Sequence, residues 1–323
     1  MIFWRLKKLR SYLPDYLLPI DESIPEYFFL PAQQNASYPF SHSILIRPNP
    51  ESNLAFMIDS GIGHITIKRI LRDFDVSKTF LSHWHEDHIS GNYLLQKHGS
   101  KFFCHSKDSK ILQNLCQIQE LYCTKGTMIE EIFKELIRSL KLVDLPQISP
   151  LIPDELIPSN DSIKLQVIHT PGHSAGHCCF YDSKNQFIFL GDIDLTGLGP
   201  WYGCLDSNLI DFEKSLQKIL KLNIVLAVSS HKGIYQGRKK IKEELKRYIE
   251  VISKRDEKIK KHLSPSKPTR LTDLVGKNII YKKYSYMRDY LFIAEQIMIK
   301  QHLDRLINQE LIWEQGGKFF LTQ

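Results

Sequence analysis

Along the first hundred residues, apolar positions fall in short runs broken by Pro, Asn and Ser rather than in long stripes. Residues 26–31, 42–47 and 54–58 (Glu-Tyr-Phe-Phe-Leu-Pro, His-Ser-Ile-Leu-Ile-Arg and Leu-Ala-Phe-Met-Ile) are rich in apolar and aromatic side chains and predict strands. Asp59-Ser60-Gly61 ends the third run, and residues 65–74 then read as a helix. Residues 78–82 predict a strand closing at a histidine-rich turn, 91–98 a short helix and 101–104 another strand.

Helical spacing dominates 107–145, with apolar positions at Ile129, Ile132, Phe133, Leu136, Ile137 and Leu140. Pro146 to Pro158 reads as a proline-punctuated connector. Strand patterns return at 163–168, 177–181 and 186–190, followed by a helix at 212–220 and a buried strand at 224–228. Residues 238–262 predict one long helix whose apolar stripe is Ile241, Leu245, Tyr248, Ile252 and Ile259, with Lys, Arg and Glu elsewhere. Ser264-Pro-Ser-Lys-Pro268 reads as a linker. Beyond it come a helix near 271–275, a longer helix near 290–308, and two short strands around Gly316-Gly317, a hairpin signal. Helix, helix and hairpin is the order of a winged helix. Ile293, Ile297, Leu303, Leu306 and Ile307 are expected to form its core with Trp313, Phe319 and Leu321.

Composition and charge add limits. The chain has 323 residues, 42% of them hydrophobic and 24% charged, which is globular composition and enough chain for about two domains. No apolar run reaches the ~18 residues of a membrane-spanning helix. The N-terminal stretch (Arg5, Lys7, Lys8, Arg10) lacks a clean apolar core and a cleavage site, so a solvated basic extension over 1–19 is expected, with a transit peptide as the alternative. Six cysteines without a C-x-x-C pair read as reduced thiols in a cytoplasmic setting, and the adjacent Cys178 and Cys179 should face opposite sides of a strand. Residues 232–323 hold 21 Lys+Arg and 11 Asp+Glu, a balance of +10, while 1–231 carry −3, together the +7 of the whole chain. A basic excess of this kind suits an anionic partner such as RNA, or a solvated helix surface.

Candidate chemistry concentrates at His83-Trp-His-Glu-Asp-His88, directly after a predicted strand. On such a turn His83 and His85 can converge on one ion while Asp87 and His88 face a second point; imidazole and carboxylate are ligands for zinc, iron or manganese. Three further candidates each end a predicted strand beside glycine: His173 in Thr170-Pro-Gly-His-Ser-Ala-Gly-His177, Asp192 in Leu190-Gly-Asp-Ile-Asp194, and His231 in Val228-Ser-Ser-His-Lys-Gly233.

The H-x-H-x-D-H run, the preceding Asp59, then His173, Asp192 and His231 in that order resemble the metallo-β-lactamase superfamily over about residues 20–235. The resemblance implies an α/β fold, a four-layer αββα sandwich over 20–263, with a winged-helix-like domain at 264–323. It implies one metal held by His83, His85 and His173, a second held by Asp87, His88 and His231, Asp192 bridging them, and Asp59 orienting the site. The implied cofactors are two divalent metal ions, zinc foremost, with iron or manganese as alternatives. Asp192 stands where secreted zinc β-lactamases of the common type carry Cys, and residues 264–323 do not resemble the glutathione-binding domain of glyoxalase II. His302-Leu303, Leu306, the Gly316-Gly317 hairpin and Ile252-Ser-Lys-Arg-Asp-Glu257 resemble the β-lactamase-like endoribonuclease subgroup. Asp192 and His231, only 39 residues apart, leave no room for the large insertion of RNA-cleaving relatives.

The implied activity is a metallo-hydrolase acting on a small ester or thioester. The alternatives are an endoribonuclease or phosphodiesterase on single-stranded RNA, and a mononuclear iron persulfide-type dioxygenase using His83, His173 and Asp192. Asp87 is a candidate proton acceptor as well as a ligand. Trp201, Tyr202 and Lys232 are candidate substrate contacts, and a homodimer is an expected assembly.

Overall fold

The computed structural model describes residues 14–49, 51–127, 129–157, 163–284 and 287–323; of the solvated basic extension expected over 1–19, residues 1–13 lie outside the described residues, whereas Tyr16 and Leu17 are buried in a core and Leu18–Pro19 form a strand. Seven strands form the first sheet in chain order: β1 (Leu18–Pro19), β2 (Tyr27–Leu30), β3 (Ser43–Ile46), β4 (Leu54–Ile58), β5 (Asp75–Phe80), β6 (Lys101–His105) and β7 (Ile148–Leu151). β1 to β4 pair antiparallel, and β4 to β7 run parallel through helical crossovers. The second sheet is built from β8 (Leu165–His169), β9 (Cys178–Asp182), β10 (Phe187–Phe189), β11 (Leu226–Ser229) and β12 (Gly233–Gln236), with only β10 and β11 parallel.

Period-2 alternation sorts each strand between two cores. Phe56, Ile58 and Phe80 of the first sheet meet Val167, Phe180 and Phe189 of the second in one buried cluster between the sheets. Their neighbours Ala55, Met57 and Val76 turn outward onto Ile67, Ile70 and Leu112 of covering helices. Ile168, Tyr181 and Ile188 likewise turn outward onto Phe212, Leu216 and Leu245. Cys178 joins the inner cluster and Cys179 the outer one, as two adjacent strand residues should. The result is the expected helix–sheet–sheet–helix sandwich.

Besides the two-residue pieces at Leu18–Pro19 and Thr269–Arg270, two longer strands lie where the sequence pattern predicts none. β7 sits inside the proline-punctuated connector, and Pro150 is tolerated because β7 is the last strand of its sheet. β12 is an edge strand carrying the exposed Ile234 and Gln236, so it lacks an apolar run.

The long helix spans Arg238–Lys260 and buries the predicted stripe. It also buries Arg255 and Asp256, which the sequence pattern places on the solvent side. After the loop at 264–268 come β13 (Thr269–Arg270), a helical turn Leu271–Leu274, the helix Arg288–Asn308 and the hairpin of β14 (Ile312–Gln315) and β15 (Lys318–Leu321). The three strands form one small antiparallel sheet. Met298, Ile299, Leu303, Leu306, Ile312 and Phe319 bury themselves in the same cluster as Leu245 and Ile252, so this block shares a core with the second sheet. Trp313 is not in that core. It alternates outward from Ile312 and stacks on Phe320, ring centroids 4.2 Å apart, with 42% of its surface exposed.

Candidate metal centre

Strand direction gathers the candidates. β4, β5, β8, β10 and β11 end at one edge of the sandwich, and their terminal loops carry Asp59, the 83–88 run, His173, Asp192 and His231. Close backbone approach requires glycine there. A Cβ on Gly61 would lie 1.6 Å from the Asp87 carbonyl oxygen, and Gly191, at φ 56°, leaves room for the His177 ring.

Three groups of ligand-type atoms result, each with its atoms within 4.8 Å of one another: His83, His85, His173 and Asp192 in the first, Asp87, His88 and His231 in the second, and Asp192, Asp194 and His231 in a third that overlaps both. In the first, His173 Nε2 is 3.2 Å from His83 Nε2 and 2.9 Å from His85 Nδ1. In the second, His231 Nε2 is 3.2 Å and His88 Nε2 3.7 Å from Asp87 Oδ2. Asp192 spans both: Oδ2 is 3.1 Å from His173 Nε2, and Oδ1 is 2.9 Å from His88 Nε2.

The other nitrogen of each ring is held elsewhere. His88 Nδ1 donates to Asp59 Oδ2 at 2.8 Å. Asp59 also accepts the Ser82 amide and hydroxyl, and Ser82 Oγ lies 2.9 Å from His83 Nδ1. His173 Nδ1 donates to the Trp201 carbonyl at 3.0 Å, and His231 Nδ1 to the Ala36 carbonyl at 2.8 Å. His85 Nε2 faces Cys204 Sγ at 3.6 Å. When the rings are neutral, these contacts leave Nε2 of His83, His88, His173 and His231, and Nδ1 of His85, as inward lone pairs.

Charge does not follow that division, for burial pulls His173 of the first group down but Asp192 outweighs it and sets it above the usual histidine range. Burial, then neighbouring imidazoles, holds His83 and His85 well below the usual histidine range, so both are neutral. Burial pulls His88 down as well, but Asp192, Asp87 and Asp59 outweigh it and set it well above that range. Burial opposes the charge on Asp192, yet His88, His231 and His173 together hold its carboxyl well below the ordinary carboxylate range.

These residues fit divalent cations. His88 Nε2 and Asp192 Oδ1 lie 2.9 Å apart, buried and outside hydrogen-bond geometry, and ring nitrogens of His83, His85 and His173 crowd together. Such a set is satisfied by a cation rather than by protein hydrogen bonds.

A cavity of about 390 Å³ opens beside the clusters, lined by His85, Asp87, His173, Asp192 and His231. Trp201 lines it, and its indole Nε1 donates to Tyr281 Oη. Tyr202 does not line it. Its side chain is fully buried on the other side of the loop, where the hydroxyl accepts from Arg255 and meets His302 Nε2 at 2.6 Å, so its candidacy as a substrate contact is corrected. Lys232 is exposed and outside the lining.

Other residues at the site escape the sequence reading. His177 Nε2 accepts the Asp192 amide at 3.1 Å and so fixes the backbone of the shared carboxylate. Asp194 accepts the His231 amide at 3.0 Å and lines the cavity. Glu86, inside the histidine run, accepts hydrogen bonds from the Tyr38 and Tyr122 hydroxyls. Spacing offers one signal: each is a polar residue within four positions of a candidate ligand.

The metallo-beta-lactamase superfamily model matches residues 39–108 and 123–231. A hydroxyacylglutathione hydrolase of Pelagibacter ubique is 25% identical over 253 residues, covering 73% of this chain and 89% of that one. An atrochrysone carboxyl ACP thioesterase of Aspergillus fumigatus is 24% identical over 201 residues, 59% of this chain and 51% of its own length, so the chain spans about half of that relative. The metallo-beta-lactamase family protein TTHA1429 of Thermus thermophilus has the same fold, with a TM-score of 0.69 at 19% identity over 93% of this chain and all of that one. Members of the superfamily bind divalent metals, and among the described residues no helix is long and apolar enough to cross a membrane. By the match over more than half its length, the chain belongs to the metallo-beta-lactamase superfamily and is a metallo-hydrolase of that family.

Proposed function

We propose that the chain hydrolyses a small ester or thioester, using two divalent metal ions at the paired clusters. The observation that supports this most directly is the split of Asp192, one oxygen toward each cluster. In this reading His83, His85 and His173 hold one ion, Asp87, His88 and His231 the other, and Asp192 is common to both, with zinc as the native metal. Two such ions bring the pKa of water toward 7 and polarise a carbonyl oxygen.

The protein's own residues do the remaining work. Asp59 orients His88 directly and His83 through Ser82, so one carboxylate aligns a ring in each cluster. Asp87 Oδ2, beside His231 Nε2, is placed to take up a proton during hydrolysis. Trp201 holds His173 through its carbonyl and gives its side chain to the cavity wall, where the acyl group is expected to rest. The names of a hydroxyacylglutathione hydrolase and an ACP thioesterase among the relatives support thioester or ester chemistry. In the same reading residues 264–323 are a winged-helix-like domain that closes one side of the cavity, for Tyr281, Met287, Tyr290 and Leu291 line it.

The test joins metal analysis to turnover. Chain purified without added metal, then titrated with zinc, iron(II) or manganese(II), should bind two ions and gain activity on p-nitrophenyl and S-acyl thioester substrates in step with the second ion. One ion at saturation, or activity complete with the first, would sink the dinuclear reading.

A further inference from the structure

The outer contacts of the metal-facing histidines come from different parts of the chain. In the second group they come from early in it: Asp59 holds His88, and the Ala36 carbonyl holds His231. In the first group, those of His173 and His85 come from one short segment, residues 201–207. The Trp201 carbonyl accepts from His173 Nδ1 at 3.0 Å, and Cys204 Sγ lies 3.6 Å from His85 Nε2. The same segment fastens the backbone around these rings. Ser207 Oγ donates to the His173 carbonyl at 2.7 Å. Asp206 Oδ2 accepts the Trp84 indole N–H at 2.9 Å and the Ala175 amide at 3.2 Å.

Two helices hold this segment from behind. Tyr202 donates its hydroxyl proton to His302 Nε2 at 2.6 Å, and His302 Nδ1 donates to Asp256 Oδ1 at 2.6 Å. Burial keeps His302 below the usual histidine range, so the ring is neutral and its Nε2 accepts. Gln301 Nε2 donates to the Tyr202 carbonyl at 3.2 Å. A Cβ on Gly203 would come 2.8 Å from Ala294 Cβ, so the helix Arg288–Asn308 lies directly against the segment. Tyr202 and His302 are fully buried. Buried polar groups linked in series have one good arrangement, because each donor lost leaves an acceptor unpaired in the interior.

We infer that Tyr202 and His302 are positioning residues for one half of the metal centre. The series Asp256–His302–Tyr202 sets the place of residues 201–207 and, through them, the orientation of His173 and His85, whereas His88 and His231 are held independently of it. The inference rests on the reading in which His83, His85 and His173 hold one ion and Asp87, His88 and His231 the other.

A merely structural role would lower stability without choosing between the two ions, so the experiment follows each. Zinc titration against a chromophoric chelator gives two dissociation constants. Proton–nitrogen correlation spectra of the zinc-loaded, histidine-labelled protein resolve the Nδ1 protons of His173 and His88. Tyr202→Phe and His302→Leu are expected to weaken one zinc step about tenfold, the low end of what losing an outer partner costs. They should also shift the His173 proton and speed its exchange with water. The other zinc step and the His88 proton should stay as in the wild type. His302→Gln keeps an acceptor near the place of Nε2. It should move both readouts the same way by a smaller amount, and it decides the matter if the other two variants fail to fold. Both zinc steps weakened alike, or a His173 proton that stays in place, overturns the inference and leaves the dinuclear reading standing. A wild-type chain that binds a single ion sinks the dinuclear reading; the inference then stands if the variants weaken that ion and move the His173 proton, and falls if they do not.

Discussion

Asp59 Oδ2 lies 2.8 Å from His88 Nδ1, both side chains fully buried and 29 residues apart in the chain. Asp59 sits at φ 57°, in the left-handed region, at the point where β4 ends. A residue other than Gly or Asn in that region carries local strain, and here the Ser82 amide, the Ser82 hydroxyl and His88 hold it in place.

Asp59→Asn is therefore expected to keep the backbone turn but weaken metal binding by about 10- to 100-fold, the usual cost of losing an outer carboxylate partner. Isothermal titration with zinc checks this. Unchanged affinity would show that His88 and His83 need no help from Asp59.

Asp192→Asn should cost more, because both oxygens of Asp192 face nitrogen atoms of the clusters. The variant is expected to hold at most one ion per chain and to lose more than about a hundredfold in turnover, with its fold intact. Elemental analysis and far-ultraviolet circular dichroism on the same sample separate loss of metal from loss of structure.

His42 and His177 should withdraw stability from the metal-free protein in mild acid, a decline read against variants because Asp108 and Asp194, raised by burial to about 7, add stability over the same range. Burial, then the charge of His231, lowers His42 to about 4, and burial, then His173, lowers His177 to about 3. A histidine lowered in the folded state takes up its proton first in the unfolded chain, so stability falls as pH drops below the ordinary ~6.5 and levels off near the folded value. His88, His173 and His231, raised in the folded state, contribute a nearly constant amount below ~6.5 and do not mask the slope. Urea unfolding at about pH 6 and about pH 4.5 should show the wild type losing about 1 kcal/mol relative to His42→Gln, after allowance for partial solvent screening. An identical pH dependence in the variant would remove His42 from the account.

Arg255→Met should free the loop that carries Trp201. The buried guanidinium donates to the Pro200 and Leu198 carbonyls, each at 2.6 Å, and to the Tyr202 hydroxyl at 2.8 Å. Methionine fills much of the volume but leaves two carbonyls unpaired, at a cost of about 1–3 kcal/mol each. A lower melting temperature with KM raised more than kcat is the expected signature. An unchanged KM would show that the loop keeps its place without Arg255.

The parts of the site readable in the sequence are those that lie at strand ends. The histidine run stands out because its polar residues directly follow a strand, and His173, Asp192 and His231 because each ends one beside a glycine. Tyr202 misleads because its partner His302 is a hundred residues away, and nothing local in a Trp-Tyr pair tells which ring turns inward. Arg255 and Asp256 mislead for a similar reason: helical spacing assigns charges to solvent, whereas Tyr202 and His302 satisfy these two inside. Edge strands β7 and β12 lack an apolar face, so their pairing is decided by neighbours rather than by their own residues.

The cavity wall draws on distant parts of the chain, from Tyr38 near one end to Leu291 near the other. During synthesis every ligand-type residue has left the ribosome once His231 emerges, yet the side of the cavity built by Tyr281, Met287, Tyr290 and Leu291 is still untranslated or in the exit tunnel. The ligand-type residues are thus complete in the emerging chain before that wall is. A chain ending before Tyr281 would lack that side of the cavity wall.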